Sequence, residues 1–312
     1  MPPEILLIAP LPDFITQPLA ERYTVHDYYH TVDKSGLLAA VGERITGIVG
    51  VGGSVVGAAL ADRLPRLQII SVHGVGYDGV ALDYCRARGI AVTNTPDVLT
   101  DDVADIALAL VLMTSRGLLI ANRALHAGDW ARGARTLTTK IGGRRAGILG
   151  LGRIGKAIAA RLVACGMEIG YHGRAPQANV SYAYHGSLMD LAAWCDYLIV
   201  ACPGGNATRH LIHAGVLAAL GSTGTLVNIA RGSIVDEPAL IDALEKGIIK
   251  TVGLDVFEHE PTVPAKLLAM PQVVVLPHIG SATRETRGAM GQLVLDNFEA
   301  HYAGRALVTR VV

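Results

Sequence analysis

A chain of 312 residues is long enough for two domains with separate cores, since single domains run to ~100–200 residues. Its 27 basic and 27 acidic side chains cancel, and no run of Lys or Arg offers the footprint that a phosphate backbone requires, which argues against nucleic acid as a partner. The opening Met1-Pro2-Pro3-Glu4-Ile5-Leu6-Leu7-Ile8 lacks a basic leader and cleavage site, and the most apolar helical stretch, residues 106–113, falls far short of the ~20 residues that cross a bilayer; a cytoplasmic protein with no membrane partner is expected.

Along the chain, short apolar runs alternate with helical patterns, the signature of βα units that feed a mostly parallel sheet. Strands are expected at residues 5–9, 48–51, 67–72 and 90–93, each ended by glycine, proline or a polar turn. Asn94-Thr95-Pro96-Asp97 breaks the pattern, because proline biases the residue before it away from helix, and the first domain boundary is drawn there. A helix follows, with Thr100 as N-cap and Asp101, Asp102 and Asp105 complementing the positive end of its dipole. Val103, Ile106, Ala107, Leu110 and Met113 recur at helical spacing on one face. That face packs either on the protein's own sheet or on a second subunit, and Asp129 and Trp130 beyond it border either a cleft or an interface.

From residue 144 strands are expected at 145–149, 168–171, 197–201, 226–230, 252–256 and 273–276, followed by a last helix over 284–302. The first of them runs into Gly150-Leu151-Gly152-Arg153-Ile154-Gly155, a G-x-G-x-x-G fingerprint between strand and helix. The last helix is too short to be a domain and is expected to cross back onto the first one. The chain thus reads as α/β with two doubly wound parallel-sheet domains: a Rossmann coenzyme domain over 99–283 and a flavodoxin-like, discontinuous substrate domain over 1–98 and 284–312. Cys85, Cys165, Cys195 and Cys202 show no C-x-x-C pair or histidine at metal-ligand spacing and are read as small buried apolar residues.

A second literal match, Gly74-Val75-Gly76-Tyr77-Asp78-Gly79, also follows a strand. Physics favours the loop at Gly150, because a pyrophosphate on free helix N–H groups is repelled by a carboxylate such as Asp78 and attracted by a cation such as Arg153. The Val75 and Gly76 amides then suit a smaller anion, such as a substrate carboxylate; a tight turn that needs glycine is the alternative. About twenty residues past the fingerprint an NAD site usually carries an acid for the ribose hydroxyls. Here stand His172-Gly173-Arg174, so NADP is the expected coenzyme and NAD a weaker alternative.

In doubly wound sheets ligands bind outside the carboxyl ends of the strands. That rule selects Arg231, Asp255, Glu260 and His278, each at or just past an expected strand end. Reducing a 2-oxo acid requires a cation to hold the carboxylate and polarise the ketone, which suits the planar fork of Arg231. It also requires an acid to protonate oxygen, which suits His278 with a neighbouring Glu260 carboxylate favouring its cationic form. Glu258-His259-Glu260 is not read as a metal cluster, because adjacent residues rarely aim at one ion; no metal is expected.

These segments resemble the D-isomer-specific 2-hydroxyacid dehydrogenase family over nearly the whole chain. The resemblance is carried by Gly74-Val75-Gly76-Tyr77-Asp78, Asn94-Thr95-Pro96-Asp97, the Gly150 fingerprint, Asn228-Ile229-Ala230-Arg231-Gly232, Gly253-Leu254-Asp255-Val256-Phe257 with Glu260-Pro261, and Pro277-His278-Ile279-Gly280. Within the family the chain is similar to the NADP-preferring glyoxylate/hydroxypyruvate and 2-ketoaldonate reductases, mainly through His172-Gly173-Arg174. The resemblance implies Arg231, Glu260 and His278 as the catalytic set, Val75 and Gly76 amides on the substrate carboxylate, and a homodimer. It further implies that Asp255 contacts the nicotinamide amide and that Thr208, Ile229 and Ala230 line the coenzyme; Cys202, Pro203 and Gly280 are counted with these coenzyme contacts. The expected activity is NADPH-dependent reduction of a small 2-oxo acid of the hydroxypyruvate, glyoxylate or 2-ketogluconate type, with an aryl pyruvate, or a cofactor-sensing interaction role, as alternatives.

Overall fold

Five parallel strands, β1 (Glu4–Leu7), β2 (Thr24–Asp27), β3 (Ile45–Val51), β4 (Ile69–His73) and β5 (Ala91–Thr93), form one sheet in the order β2-β1-β3-β4-β5. This is the flavodoxin-like order of a doubly wound sheet. The computed structural model describes residues 2–133 and 137–312, and this sheet belongs to a unit made of Met1–Leu99 and Thr283–Val312. One face carries Leu6, Ile48, Ile70 and Val72 against Leu38, Val41, Leu64 and Cys85. The other carries Ile5, Leu7, Val49 and Ile69 against Ile15 and Leu19 and against Val294, Leu295 and Phe298 of the last helix, Arg284–Tyr302. That helix lies close on the sheet because Gly47 has no side chain where it meets Phe298; a Cβ there would come within 2.7 Å of the ring.

The second unit, Thr100–Ala282, holds seven parallel strands. They are β6 (Arg145–Leu149), β7 (Glu168–His172), β8 (Ala183–Tyr184), β9 (Tyr197–Val200), β10 (Thr225–Asn228), β11 (Thr251–Leu254) and β12 (Val273–Val275), in the order β12-β11-β10-β9-β6-β7-β8. Counted from β6 this is the Rossmann order with one more strand at the end, and the winding reverses between β6 and β9. The fold class is therefore the one expected: α/β with two doubly wound parallel sheets.

The structure corrects several element readings. β2 escapes the sequence pattern because Thr-Val-His-Asp is a part-exposed edge strand without an apolar run. β8 is only two residues long. The strands expected at 226–230, 252–256 and 273–276 stop at Asn228, Leu254 and Val275. Apolar residues continue past the ladder because Ile229 and Val256 are buried beneath the loops. Thr100 is the first residue of the helix Thr100–Arg116 rather than its cap. Val103, Ala107 and Leu110 of that helix are buried, with Leu110 over Gly253 of β11, so the apolar face packs on the unit's own sheet.

The next helix, Leu118–His126, buries none of its residues; Leu118, Ile120 and Leu125 stay about half exposed, and Trp130 beyond it is 70% exposed. Among the described residues no single helix is long and apolar enough to cross a membrane; Thr100–Arg116 and Leu118–His126 pass only as a pair bent by 65°. All four cysteines are free, with Cys85, Cys195 and Cys202 buried and Cys165 half-buried.

Candidate active site

The three fingerprint glycines do three different jobs. Gly150 has a φ of 95°, and a Cβ on it would lie 2.6 Å from the Cys202 backbone. It is thus the sharp turn off β6 and the point where the loop after β9 crosses the switch point, which puts Cys202 and Pro203 beside the fingerprint. Gly155 faces the Gly150 carbonyl, where a Cβ would come within 2.2 Å, so only glycine lets the helix Arg153–Ala164 start this close to the strand. Nothing lies within 4 Å of a Cβ built on Gly152, which is the N-cap of that helix and offers no side-chain cap. Open space in front of uncapped helix N–H groups is the arrangement that receives a pyrophosphate. Arg153 and Ile154 form the helix's first turn, with Leu151 buried behind the loop.

The end of β7 folds back on this loop. Gly150 N–H donates to the His172 carbonyl (2.9 Å), and Gln177 Nε2 donates to the Leu151 carbonyl (2.7 Å). His172 is itself fixed, its Nδ1 lying 2.8 Å from the His185 carbonyl and its ring stacked on Tyr184. Gly173 is open, and Arg174 is exposed and makes no ion pair among the described residues. The Gln177 anchor was not legible in sequence, since a lone glutamine in a polar loop carries no pattern.

Past β10, the Asn228 side chain shapes the turn: its Oδ1 accepts the Ala230 N–H (3.0 Å) and its Nδ2 donates to the Arg231 carbonyl (2.8 Å). This closes Ile229 and Ala230 into a tight loop and sets Arg231, half-buried, at its tip; Arg231 Nη1 donates to the Ala230 carbonyl (2.7 Å). Gly232 follows at a backbone-on-backbone contact, where a Cβ would lie 1.8 Å from the Phe257 carbonyl carbon. The loop bearing Arg231 therefore rides directly on the Phe257–Glu258 peptide, three residues from Glu260.

Glu260 and His278 meet. His278 Nδ1 lies 2.6 Å from Glu260 Oε2, while Glu260 Oε1 accepts the Phe257 N–H at 3.0 Å. Burial alone would raise the Glu260 pKa, but the hydrogen bond and charge of His278, the Phe257 amide and the Arg231 charge together hold it below its ordinary value. His278 sits at φ 52°, a left-handed conformation that costs a non-glycine residue of order 1–3 kcal/mol and persists only where the surroundings enforce it.

The enforcing group is Asp255, 1% exposed. Its carbonyl accepts the His278 N–H, its Oδ1 the Ile279 N–H and its Oδ2 the Gly280 N–H, all at 2.8 Å. Burial raises the Asp255 pKa against the opposing pull of these amides and of His278. The clamp was invisible in sequence, because it needs a strand end and a turn 23 residues later to be neighbours.

Thr208 ends the short helical turn Asn206–Thr208 and donates to the Pro203 carbonyl (2.8 Å), tying it to the loop after β9. Val75 and Gly76 lie in the other unit, between β4 and a helix that begins only at Leu82, so their amides are not at a helix terminus. Asn94 Nδ2 donates to the Val75 carbonyl (2.9 Å) and the Thr95 N–H to the Gly74 carbonyl (2.9 Å), which fixes the loop. Glu258 and Glu260 take different partners, and no group of three metal-ligating side chains occurs among the described residues.

The family model for the D-isomer-specific 2-hydroxyacid dehydrogenase NAD-binding domain matches residues 108–280. The chain belongs to the D-isomer-specific 2-hydroxyacid dehydrogenase family. Hydroxyphenylpyruvate reductase of Plectranthus scutellarioides is 45% identical across 99% of this chain and 98% of its own. Glyoxylate/hydroxypyruvate reductase A of Arabidopsis thaliana is 44% identical, with the same coverage. The structure of NADPH-dependent glyoxylate/hydroxypyruvate reductase from Sinorhizobium meliloti with NADP and malonate superposes with a TM-score of 0.93 at 42% identity, covering 100% of this chain and 97% of that one. This family member is an oxidoreductase with an NAD(P)-binding domain, and its relatives act on small 2-oxo acids.

Proposed function

We propose that this dehydrogenase uses NADPH to reduce a small 2-oxo acid to the D-2-hydroxy acid, with His278 as general acid, Glu260 as its orienting partner and Arg231 on the substrate carboxylate. The observation that carries the reading is the 2.6 Å contact between His278 Nδ1 and Glu260 Oε2, made by a histidine in an enforced backbone conformation. With Nδ1 committed to the carboxylate, Nε2 is the ring nitrogen left for substrate. Bound NADPH supplies the hydride that reduces C2. As the carbonyl oxygen gains charge, Nε2–H gives it a proton while Glu260 holds the ring through Nδ1. Arg231, beside Glu260, holds the substrate carboxylate and polarises the ketone. Asp255, Thr208, Cys202, Pro203, Ile229, Ala230 and Gly280 would line the coenzyme site.

The unit Thr100–Ala282 serves as coenzyme domain and the other as substrate domain. NADPH preference rests on Arg174, exposed beside a β7 end without a carboxylate, and on the NADPH dependence of the Sinorhizobium relative. An aryl tail also stays in view, because the Plectranthus relative reduces a hydroxyphenylpyruvate. The exposed Leu118 and Leu125, seven residues apart and so on one side of their helix, supply apolar surface for a homodimer. Four free cysteines suit the cytoplasm. His278→Gln tests the assignment: turnover should fall ~10²–10⁴-fold with NADPH binding retained, and a variant with near-normal turnover would remove His278 from the mechanism.

A further inference from the structure

The side chain of Glu258, two residues before Glu260, is only 7% exposed. One of its oxygens, Oε1, accepts both Arg209 Nη2 (2.7 Å) and His210 Nε2 (2.9 Å). His210 is held at φ 51°, and its own N–H donates to the carbonyl of Ser233, two residues past Arg231 (2.9 Å). The Glu258 N–H donates to Oε1 of Glu237, a second buried carboxylate at the start of the helix Glu237–Glu245 (2.8 Å). The preceding amide, Phe257 N–H, goes to Glu260, and the peptide between the two carries Gly232 on its face. Three loops thus meet at Glu258: the one after β9 with Thr208, bound to its side chain through Arg209 and His210, the one after β10 with Arg231, bound to His210 through Ser233, and the one after β11 with Glu260, which carries Glu258 itself.

A nearly buried charge of this kind is a poor way to add stability, since apolar residues of similar volume often do as well or better. It is a good way to fix geometry, because charge-assisted bonds are short and directional. We propose that Glu258 is a positioning residue for the reaction. Through His210 it holds the loop of Arg231 in register with the loop of Glu260, so that the carboxylate-binding group and the proton-donating pair meet the same substrate. The proposal rests on the assignment of Arg231, Glu260 and His278 made above.

The test compares Glu258→Ala, Glu258→Gln and His210→Asn with wild type and with His278→Gln. It reads kcat, KM for hydroxypyruvate and for NADPH, the primary isotope effect with deuterated NADPH, and the melting midpoint. Asparagine tolerates positive φ and is too short to reach Glu258, so His210→Asn breaks the link while sparing the backbone. For Glu258→Ala and His210→Asn, kcat/KM for the oxo acid should fall ~10–100-fold, as misplacement by about an ångström would cause. The isotope effect should rise as the chemical step slows, and KM for NADPH should stay within about threefold of wild type. Glu258→Gln, which keeps an acceptor oxygen, should recover most of the loss.

A fall in kcat alone, with the oxo-acid KM and isotope effect unchanged, would mean only a smaller folded fraction and would overturn the proposal. Normal kinetics in both linkage-breaking variants would overturn it too. If His278→Gln is inactive while they are normal, Glu258 alone loses its role. If His278→Gln is active, the underlying assignment fails first and the proposal with it.

Discussion

Replacing Gly232 with alanine probes the contact that sets Arg231 beside Glu260. The added Cβ would stand 1.8 Å from the Phe257 carbonyl carbon, 2.1 Å from its oxygen and 2.2 Å from the Glu258 nitrogen, all backbone atoms that no rotamer change can move. Reaching an ordinary contact near 3.4 Å requires the two loops to part by about 1.6 Å. A misplacement of that size commonly costs ~10²-fold in rate, and an overpacked interior ~1–3 kcal/mol in stability. At roughly 2–4 °C per kcal/mol for a unit of this size, the melting midpoint should drop by several degrees. Steady-state kcat/KM with NADPH and hydroxypyruvate, together with a calorimetric scan, measures both. A variant within about threefold of wild-type kcat/KM would refute the view that the loop's seat on the Phe257–Glu258 peptide places Arg231.

Three further expectations concern separate features. Arg174→Ala should raise Kd for NADPH ~10–100-fold and leave NADH nearly unchanged, as loss of one charge-assisted phosphate contact predicts; equal weakening of both in a fluorescence titration would remove the phosphate role. Because the folded-state pKa of Glu260 is lowered, its ionised form contributes stability that is fully present above the ordinary value of 4.5 and is lost as pH falls through the folded value. Denaturation midpoints of wild type and Glu260→Gln should therefore differ at pH 6 and converge on acidification below 4.5, and a gap that persists unchanged to pH 3 would contradict the sign. The exposed Leu118 and Leu125 on one side of the helix Leu118–His126 predict a sedimenting dimer that Leu118→Glu with Leu125→Glu converts to monomer; a monomeric wild type, or a double variant that stays dimeric, would contradict this.

What the sequence made legible follows its periodicities. Arg284–Tyr302 was bounded correctly because polar turns flank an uninterrupted helical stretch, and the buried runs of β3, β4, β6 and β9 announced themselves as parallel strands. β2 and β8 did not, since β2 is a part-exposed edge strand without an apolar run and β8 is only two residues long. At the site, the strand-end rule singled out Arg231, Asp255, Glu260 and His278 from local sequence. The devices that hold them did not show: the Asp255 clamp on the His278 turn, the seat of Gly232 on the Phe257–Glu258 peptide, and the Glu258–His210 link each join residues that only the folded sheet makes neighbours. Glu258 even read as a candidate metal ligand to be dismissed, because in a linear chain nothing distinguishes a glutamate that faces a histidine 48 residues away.

Initial rates at which the purified protein oxidises NADPH and, separately, NADH with glyoxylate, hydroxypyruvate, 2-ketogluconate and 4-hydroxyphenylpyruvate decide the proposed activity. Turnover with at least one of these acids and a clear preference for NADPH is expected. Tight coenzyme binding without turnover on any of them would contradict it, and equal rates with NADH would contradict the part assigned to Arg174.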